Sequence, residues 1–364
     1  MKNIVLFGGA FDPIHNGHIN MAIEASRQLD ADIFFIPARI SVWKSDSAPI
    51  EDKINMINLA LQDTKLNDRF HVSRFEADSK KEINYSIDTV KHFRDEFKDT
   101  KLYLLIGTDQ VNSFHKWKSA EEIAEIATVI YFNRPGLKLD SENITKYKMV
   151  EIKGTLKDVS SSDIRELKSL DTPDSVINYI LDSNLYFINK IKGYMNEKRF
   201  IHSLSTAKLS YEIAKANHLK DAHKALIAGL LHDIGKDMPM NKQKKIMVEH
   251  FPEFVNYPPV IYHQFIGSFL AEKDFEITDS VILDAIKYHT TANSGMTEVG
   301  IIVHCADKIE PTRNFDSKNL INKLKSSLID GFVETLKSNV EYYERKGVDY
   351  SNELQMACLN QYLK

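Results

Sequence analysis

Phe7-Gly8-Gly9-Ala10-Phe11-Asp12-Pro13-Ile14-His15-Asn16-Gly17-His18 is the stretch that decides the first half of the chain. It completes an apolar run, Asn3 to Phe7, that reads as a strand, and a helix is predicted from near Gly17. Two glycines after a strand let the backbone turn tightly and approach an anion. The helix beyond aims free N–H groups and the positive end of its dipole at the same point. His15 and His18, three residues apart, can face one ligand in a helix or tight turn, where their N–H groups would hold a polyphosphate and stabilise charge developing on it.

Outward from this stretch, apolar β-type runs alternate with amphipathic helical ones, the pattern of a parallel sheet with crossover helices. Strands are predicted at Asn3 to Phe7, Asp32 to Ile36, Phe70 to Ser73, Lys101 to Ile106 and Thr128 to Phe132. Helices are predicted at His18 to Leu29, Glu51 to Gln62, Ser86 to Phe97 and Ala120 to Ile126. After about Phe187 the strand signal ends and helical periodicity continues, with a single long helix expected from Leu320 to Tyr343. The reading is therefore an α/β Rossmann-like domain, residues 1–188, followed by an all-α helical bundle, residues 189–364. A length of 364 residues also exceeds what one core usually organises.

A net charge of -4 argues against a nucleic-acid binder that neutralises phosphates broadly, while leaving small anionic substrates open. Cys305 and Cys358 are too few for a disulfide framework, and no apolar stretch approaches the roughly 20 residues that cross a bilayer. No membrane association and a cytoplasmic location are expected. Nothing in the sequence specifies an oligomeric state.

The glycine–histidine string resembles the HxGH signature of the nucleotidylyltransferase superfamily, and residues 1–186 resemble nicotinate-nucleotide adenylyltransferases. Ile106-Gly107-Thr108-Asp109 followed by Trp117, Asn133-Arg134-Pro135-Gly136, Val159-Ser160-Ser161-Ser162-Asp163-Ile164-Arg165 and Tyr179-Ile180…Asn184-Leu185-Tyr186 match in order. The resemblance implies that His15, His18, Ser161, Ser162 and Arg165 hold the phosphates of ATP, with the two histidines catalytic. It also implies that Trp117 stacks near a nicotinate ring and that Tyr85 to Thr89 helps form the mononucleotide pocket. Gly8, Gly9, Phe11, Asp12, Gly107, Asp109 and Arg134 complete the expected substrate-binding set. Lys44 stands at the place of a phosphate-binding lysine, although Pro37-Ala38-Arg39-Ile40-Ser41-Val42-Trp43-Lys44 departs from the family's Pro-Pro-His-Lys type segment. The implied reaction is attack of nicotinate mononucleotide on the α-phosphorus of ATP, with Mg²⁺ bridging the triphosphate and pyrophosphate leaving.

In the helical half, the apolar run Ala225 to Leu231 ends in His232-Asp233. A buried helix ending in two ionisable residues is costly unless they are paired or bind metal. With His202 and Asp307, this doublet resembles the H…HD…D ligand set of HD phosphohydrolases. His263 and His289, each after a tyrosine, raise the count to what two metals sharing Asp233, or one metal with phosphate contacts, would need. Leu231-His232-Asp233-Ile234-Gly235-Lys236, Tyr262-His263, Ala285-Ile286-Lys287-Tyr288-His289-Thr290-Thr291 and Ala306-Asp307-Lys308-Ile309-Glu310-Pro311…Arg313 resemble the bacterial HD family of symmetrical diadenosine tetraphosphate hydrolases. Gly235 stands where that family often has alanine, a small-for-small exchange. The resemblance implies hydrolysis at a central phosphate to two ADP, with Asp233 catalytic, one or two Fe or Mn ions bound, and Lys236, Lys308 and Arg313 as candidate phosphate contacts.

Two other classes stay open at this level. The front domain could use another acceptor, such as phosphopantetheine, although Trp117 favours nicotinate. The rear domain could hydrolyse another nucleotide or serve as a non-catalytic regulatory module.

Overall fold

Six strands form one parallel sheet in the computed structural model, which describes residues 3–39, 47–64, 68–133, 138–154, 159–313, 315–347 and 349–363. They are β1 (Asn3–Gly9), β2 (Ala31–Pro37), β3 (Phe70–Val72), β4 (Lys101–Ile106), β5 (Thr128–Phe132) and β6 (Val150–Ile152). Their order is β3-β2-β1-β4-β5-β6, and every neighbouring pair is parallel. The chain thus leaves β1 toward one side of the sheet and returns at β4 to build the other, making a switch point between those two strands. Ile4 to Phe7 are buried throughout, as a strand covered on both faces requires.

Eight helices accompany the sheet among the described residues: α1 (Asn16–Leu29), α2 (Ile50–Asp63), α3 (Ser86–Glu96), α4 (Thr108–Ser113), α5 (Ala120–Ile126), α6 (Ser141–Lys146), α7 (Ser161–Arg165) and α8 (Asp174–Asp182). One core cluster joins Leu6, Leu104 and Tyr131 of the sheet to Phe93 of α3, Ile123 of α5 and Phe114 after α4. Strand β6 has no counterpart in the sequence reading. It is three residues long with two of them exposed, so it carries no apolar periodicity.

Contacts divide the chain into two compact units, Met1–Tyr186 and Phe187–Lys364. The second is helical: α9 (Phe187–Lys192), α10 (Glu197–Ala216), α11 (Ala222–Leu231), α12 (Met240–His250), α13 (Tyr262–Phe275), α14 (Ser280–Lys287), α15 (Glu298–Ile309), α16 (Lys318–Ser326), α17 (Leu328–Lys346) and α18 (Glu353–Tyr362). The long helix expected from Leu320 to Tyr343 is instead two. Ser327 is extended (φ -154, ψ 106), and α17 folds back so tightly that a Cβ on Gly331 would lie 2.7 Å from the Leu324 backbone. No proline marks this break, and the apolar spacing runs across it, which is why periodicity alone misses it. Among the described residues no helix is long and apolar enough to cross a membrane.

Helix α11 is apolar nearly all round and is the centre of this unit. Gly229 lets it meet α10 closely, because a Cβ there would sit 2.8 Å from Ala207 Cα. Gly229→Ala is expected to force these helices apart at a cost of about 1–3 kcal/mol. Thermal melting would show a transition several degrees lower, and an unchanged midpoint would contradict this packing.

Candidate functional site

The first cleft opens at the carboxyl ends of β1 and β4, beside the switch point where parallel sheets receive ligands. It has a volume of about 350 Å³ and is lined by Gly8, Gly9, Phe11, His15, His18, Gly107, Asp109, Ser161 and Ser162 among others. A Cβ on Gly8 would meet nothing within 4 Å, so the missing side chain leaves open cleft. Gly9 plays a different part, giving room to the Phe11 ring 3.0 Å from where its Cβ would be.

His15 is the N-cap of α1, and its Nδ1 accepts from the His18 backbone N–H at 3.3 Å. An accepting Nδ1 leaves the proton on Nε2, so neutral His15 is a donor on that side. The two imidazoles are stacked with centroids 3.7 Å apart, and Phe11 meets His18 edge-on at 5.0 Å. Burial lowers the His18 pKa well below 6.5, and the neighbouring His15 lowers it further.

A segment from the far end of the unit clasps this turn. Ser161 Oγ donates to Pro13 O at 2.9 Å, Arg165 Nη1 to Asp12 O at 2.6 Å, and Thr172 Oγ1 to Ile14 O at 2.8 Å. Buried Asp12 accepts from Tyr186 Oη at 2.8 Å and from Ala48 N at 3.1 Å. Arg165 and Asp12 are therefore engaged inside the protein, holding the loop's shape, while Ser161 and Ser162 face the cleft. Trp117, Tyr85 and Thr89 are not among the residues lining it. Trp117 packs on Phe114 at 5.1 Å, Tyr85 lies under Lys118 Nζ at 4.1 Å, and buried Thr89 donates to Glu76 at 2.7 Å. Lys44 and Arg134 lie outside the described residues.

The second site gathers His202 from α10, His232 and Asp233 from the end of α11, His263 from α13, His289 from the turn after α14 and Asp307 from the last turn of α15. Asp233 lies between two imidazole pairs. Its Oδ1 is 3.5 Å from His263 Nε2 and 3.7 Å from His289 Nε2, and its Oδ2 is 3.9 Å from His232 Nε2. His202 Nε2 is 3.2 Å from His232 Nε2 and 3.1 Å from Asp307 Oδ1. His263 and His289 face each other through Nε2 at 3.2 Å. Two groups of possible ligand atoms result, His202–His232–Asp233 and Asp233–His263–His289, each within 4.8 Å.

The other ring nitrogens fix the tautomers. His232 Nδ1 meets Gly229 O at 2.7 Å, His263 Nδ1 meets Val260 O at 2.9 Å and His289 Nδ1 meets Ile286 O at 2.8 Å. A carbonyl only accepts, so these Nδ1 atoms carry hydrogen and the Nε2 lone pairs converge. His202 Nδ1 meets the Glu310 carboxylate at 2.9 Å. Burial lowers the pKa values of His263 and His289, keeping them neutral as metal ligation requires. Burial works against ionised Asp233, but its pKa is held well below the usual range, as the Arg199 guanidinium 2.5 Å from Oδ2 favours. His202 is raised to about 9, because hydrogen bonds to Asp307 and Glu310 overcome burial. The donor set and the concentration of buried carboxylate fit a divalent cation.

Cations ring the cluster. Lys308 Nζ and Arg313 Nη2 each lie 2.8 Å from Asp307, and Lys236 Nζ lies 3.0 Å from His263 Nε2. Arg199, which the sequence reading did not single out, is 2.5 Å from Asp233 Oδ2 and 2.9 Å from Asp237. It stands three residues before His202, hence on the same helix face, and Glu310 follows Asp307 at the same spacing. That spacing was the available signal. His304 was also missed; its Nδ1 donates to His289 O at 2.8 Å and so steadies that turn. Gly235 matters more than a small-for-small exchange suggests, since a Cβ there would lie 2.8 Å from His263 O.

Residues 6–167 match the Cytidylyltransferase-like family and residues 199–312 match the HD domain family, which implies a divalent metal. A Mycoplasma genitalium protein described as "Probable nicotinate-nucleotide adenylyltransferase/Ap4A hydrolase" is 31% identical over 347 residues, covering 92% of this chain and 97% of that protein. A Mycoplasma pneumoniae protein of the same description is 28% identical over 347 residues, covering 92% of this chain and 98% of the relative. A Clostridium tetani protein described as "Probable nicotinate-nucleotide adenylyltransferase" is 34% identical over 204 residues, covering 51% of this chain and 100% of its own length.

The depressed His18 pKa sets a pH dependence. The unfolded chain takes up a proton near pH 6.5 that folded His18 resists, so stability contributed at neutral pH is lost as pH falls below that value. Denaturant unfolding of the full chain across this range should show a steeper acid loss in the wild type than in His18→Gln. Coincident slopes would contradict the assignment.

Proposed function

The chain belongs to the family of nicotinate-nucleotide adenylyltransferase/Ap4A hydrolases, and on that premise we propose that its two units carry separate activities on adenine nucleotides. In the first, Met1–Tyr186, AMP passes from ATP to nicotinate mononucleotide. A phosphate oxygen of the mononucleotide attacks the α-phosphorus of ATP in line, the bond to the β-phosphate breaks, and pyrophosphate leaves with deamido-NAD as product. ATP enters as its Mg²⁺ complex. His15 and His18, the N-terminus of α1, and the hydroxyls of Ser161 and Ser162 would receive the phosphates. Neutral imidazoles donate hydrogen bonds there without adding charge, and no covalent intermediate is required, so positioning carries the rate. Trp117 and the segment Tyr85 to Thr89 are proposed to serve the mononucleotide, and Asp12 and Arg165 to hold the histidine turn.

In the second unit, Phe187–Lys364, diadenosine tetraphosphate is cleaved symmetrically to two ADP. The observation that carries this reading is the buried Asp233 carboxylate shared by two imidazole pairs. His202, His232, Asp233 and Asp307 would hold one ion and Asp233, His263 and His289 a second, with iron or manganese suited to the mixed imidazole and carboxylate donors. Bound there, such ions supply Lewis acidity to a phosphoryl oxygen and activate an attacking water. Lys236, Lys308, Arg313 and Arg199 surround the cluster and would bind the polyphosphate. Both reactions are assigned to the cytoplasm, in keeping with two buried free cysteines.

A product assay on single variants tests the division of labour. His18→Ala should lower dinucleotide synthesis by about 100- to 1,000-fold while tetraphosphate hydrolysis stays intact, and Asp233→Ala should do the reverse. Loss of both activities in either variant would contradict two independent sites. Glu310→Gln, which keeps its shape but weakens the hydrogen bond to His202, is expected to reduce metal affinity by about 10- to 100-fold, read by metal titration.

A further inference from the structure

Beside the HD cluster lies a cavity of about 740 Å³, within the roughly 300–1,000 Å³ of small-molecule sites. It is formed by the end of α15, the segment leading into α16, and one face of α17. Lys308 and Arg313 belong to both places: each touches Asp307 in the cluster, and each lines this cavity. These two cations thus connect the cluster to the cavity.

The far walls differ in chemistry from that cationic edge. Phe315 and Tyr342 line it and are 51% and 48% exposed, and Tyr342 meets the Tyr343 ring edge-on with centroids 6.0 Å apart. Tyr343 is in turn stacked against Tyr350. Arg345 lies over the Tyr342 ring at 5.8 Å, and Ser338 and Asn339 add hydroxyl and amide groups to the lining. Flat apolar faces, a guanidinium and a few adaptable polar groups suit a nucleobase with its ribose, because every base has a π-face to stack.

We infer that this cavity binds one nucleoside arm of a dinucleoside polyphosphate, with Phe315 and Tyr342 stacking on its base while Lys308 and Arg313 guide the adjoining phosphates to the HD cluster. This rests on the reading of the second unit as a polyphosphate hydrolase and adds to it the means by which substrates with a nucleoside are distinguished from bare polyphosphate. Phe315 and Tyr342 are binding residues and take no part in the bond cleavage.

Two measurements on the full chain test this. In the first, metal-loaded Phe315→Ala/Tyr342→Ala protein is compared with wild type. The KM for diadenosine tetraphosphate should rise about 10-fold or more with kcat within about twofold, consistent with losing base stacking, while the inhibition constant of inorganic tripolyphosphate stays unchanged. An unchanged KM, or a parallel rise for tripolyphosphate, overturns the inference. In the second, 8-azido-ADP is photolysed on the protein and the labelled peptides are mapped. Label within residues 313–345 that unlabelled ADP competes away supports the cavity, and label absent from that region overturns it. If diadenosine tetraphosphate is not cleaved but the label still lands there, the substrate assignment falls and the nucleoside site stands.

Discussion

The helical unit is organised around one constraint: Asp233 is a buried carboxylate that must keep its charge. Removing a carboxylate from water is costly unless nearby groups compensate, and here three imidazoles and a guanidinium converge on it. Close helix contacts make that convergence possible. Gly229 brings α11 onto α10, and Gly235 and Gly267 let the stretch after α11 lie against α13. Backbone carbonyls then hold the Nδ1 sides of three imidazoles, turning their lone pairs inward. The packing of the unit and its capacity to hold a cation are thus one arrangement.

The sheet unit handles negative charge by other means. It presents a helix N-terminus, neutral histidines and serine hydroxyls rather than a dense set of charged ligands. Such an array works only if it is rigid before substrate arrives, because its donors are individually weak. Rigidity comes from long-range clasps: the turn carrying His15 is tied to Ser161, Arg165, Asp171 and Thr172, all nearly 150 or more positions along the chain. Part of the hydrogen-bonding chemistry of that segment therefore shapes the loop from behind.

Much of this was legible in the amino-acid sequence, for identifiable reasons. The buried strands announce themselves by continuous apolar runs, and His232-Asp233 is conspicuous because it ends a helix with no polar face. What escaped had no local signature. Strand β6 has two exposed residues out of three, the α16–α17 break keeps its apolar spacing, and a motif cannot tell whether Arg165 points at substrate or at Asp12 O. Arg199 and Glu310 were missed although both share a helix face with a residue already singled out, so spacing within helices carried more information than was drawn from it.

Asp233 is predicted to serve both imidazole pairs at once. Anomalous X-ray diffraction from crystals of the full chain saturated with Mn²⁺ reads this directly. Two peaks are predicted, one among His202, His232 and Asp233 and the other among His263, His289 and Asp233. Saturated crystals with a peak at only one of these places, or at neither, would contradict it.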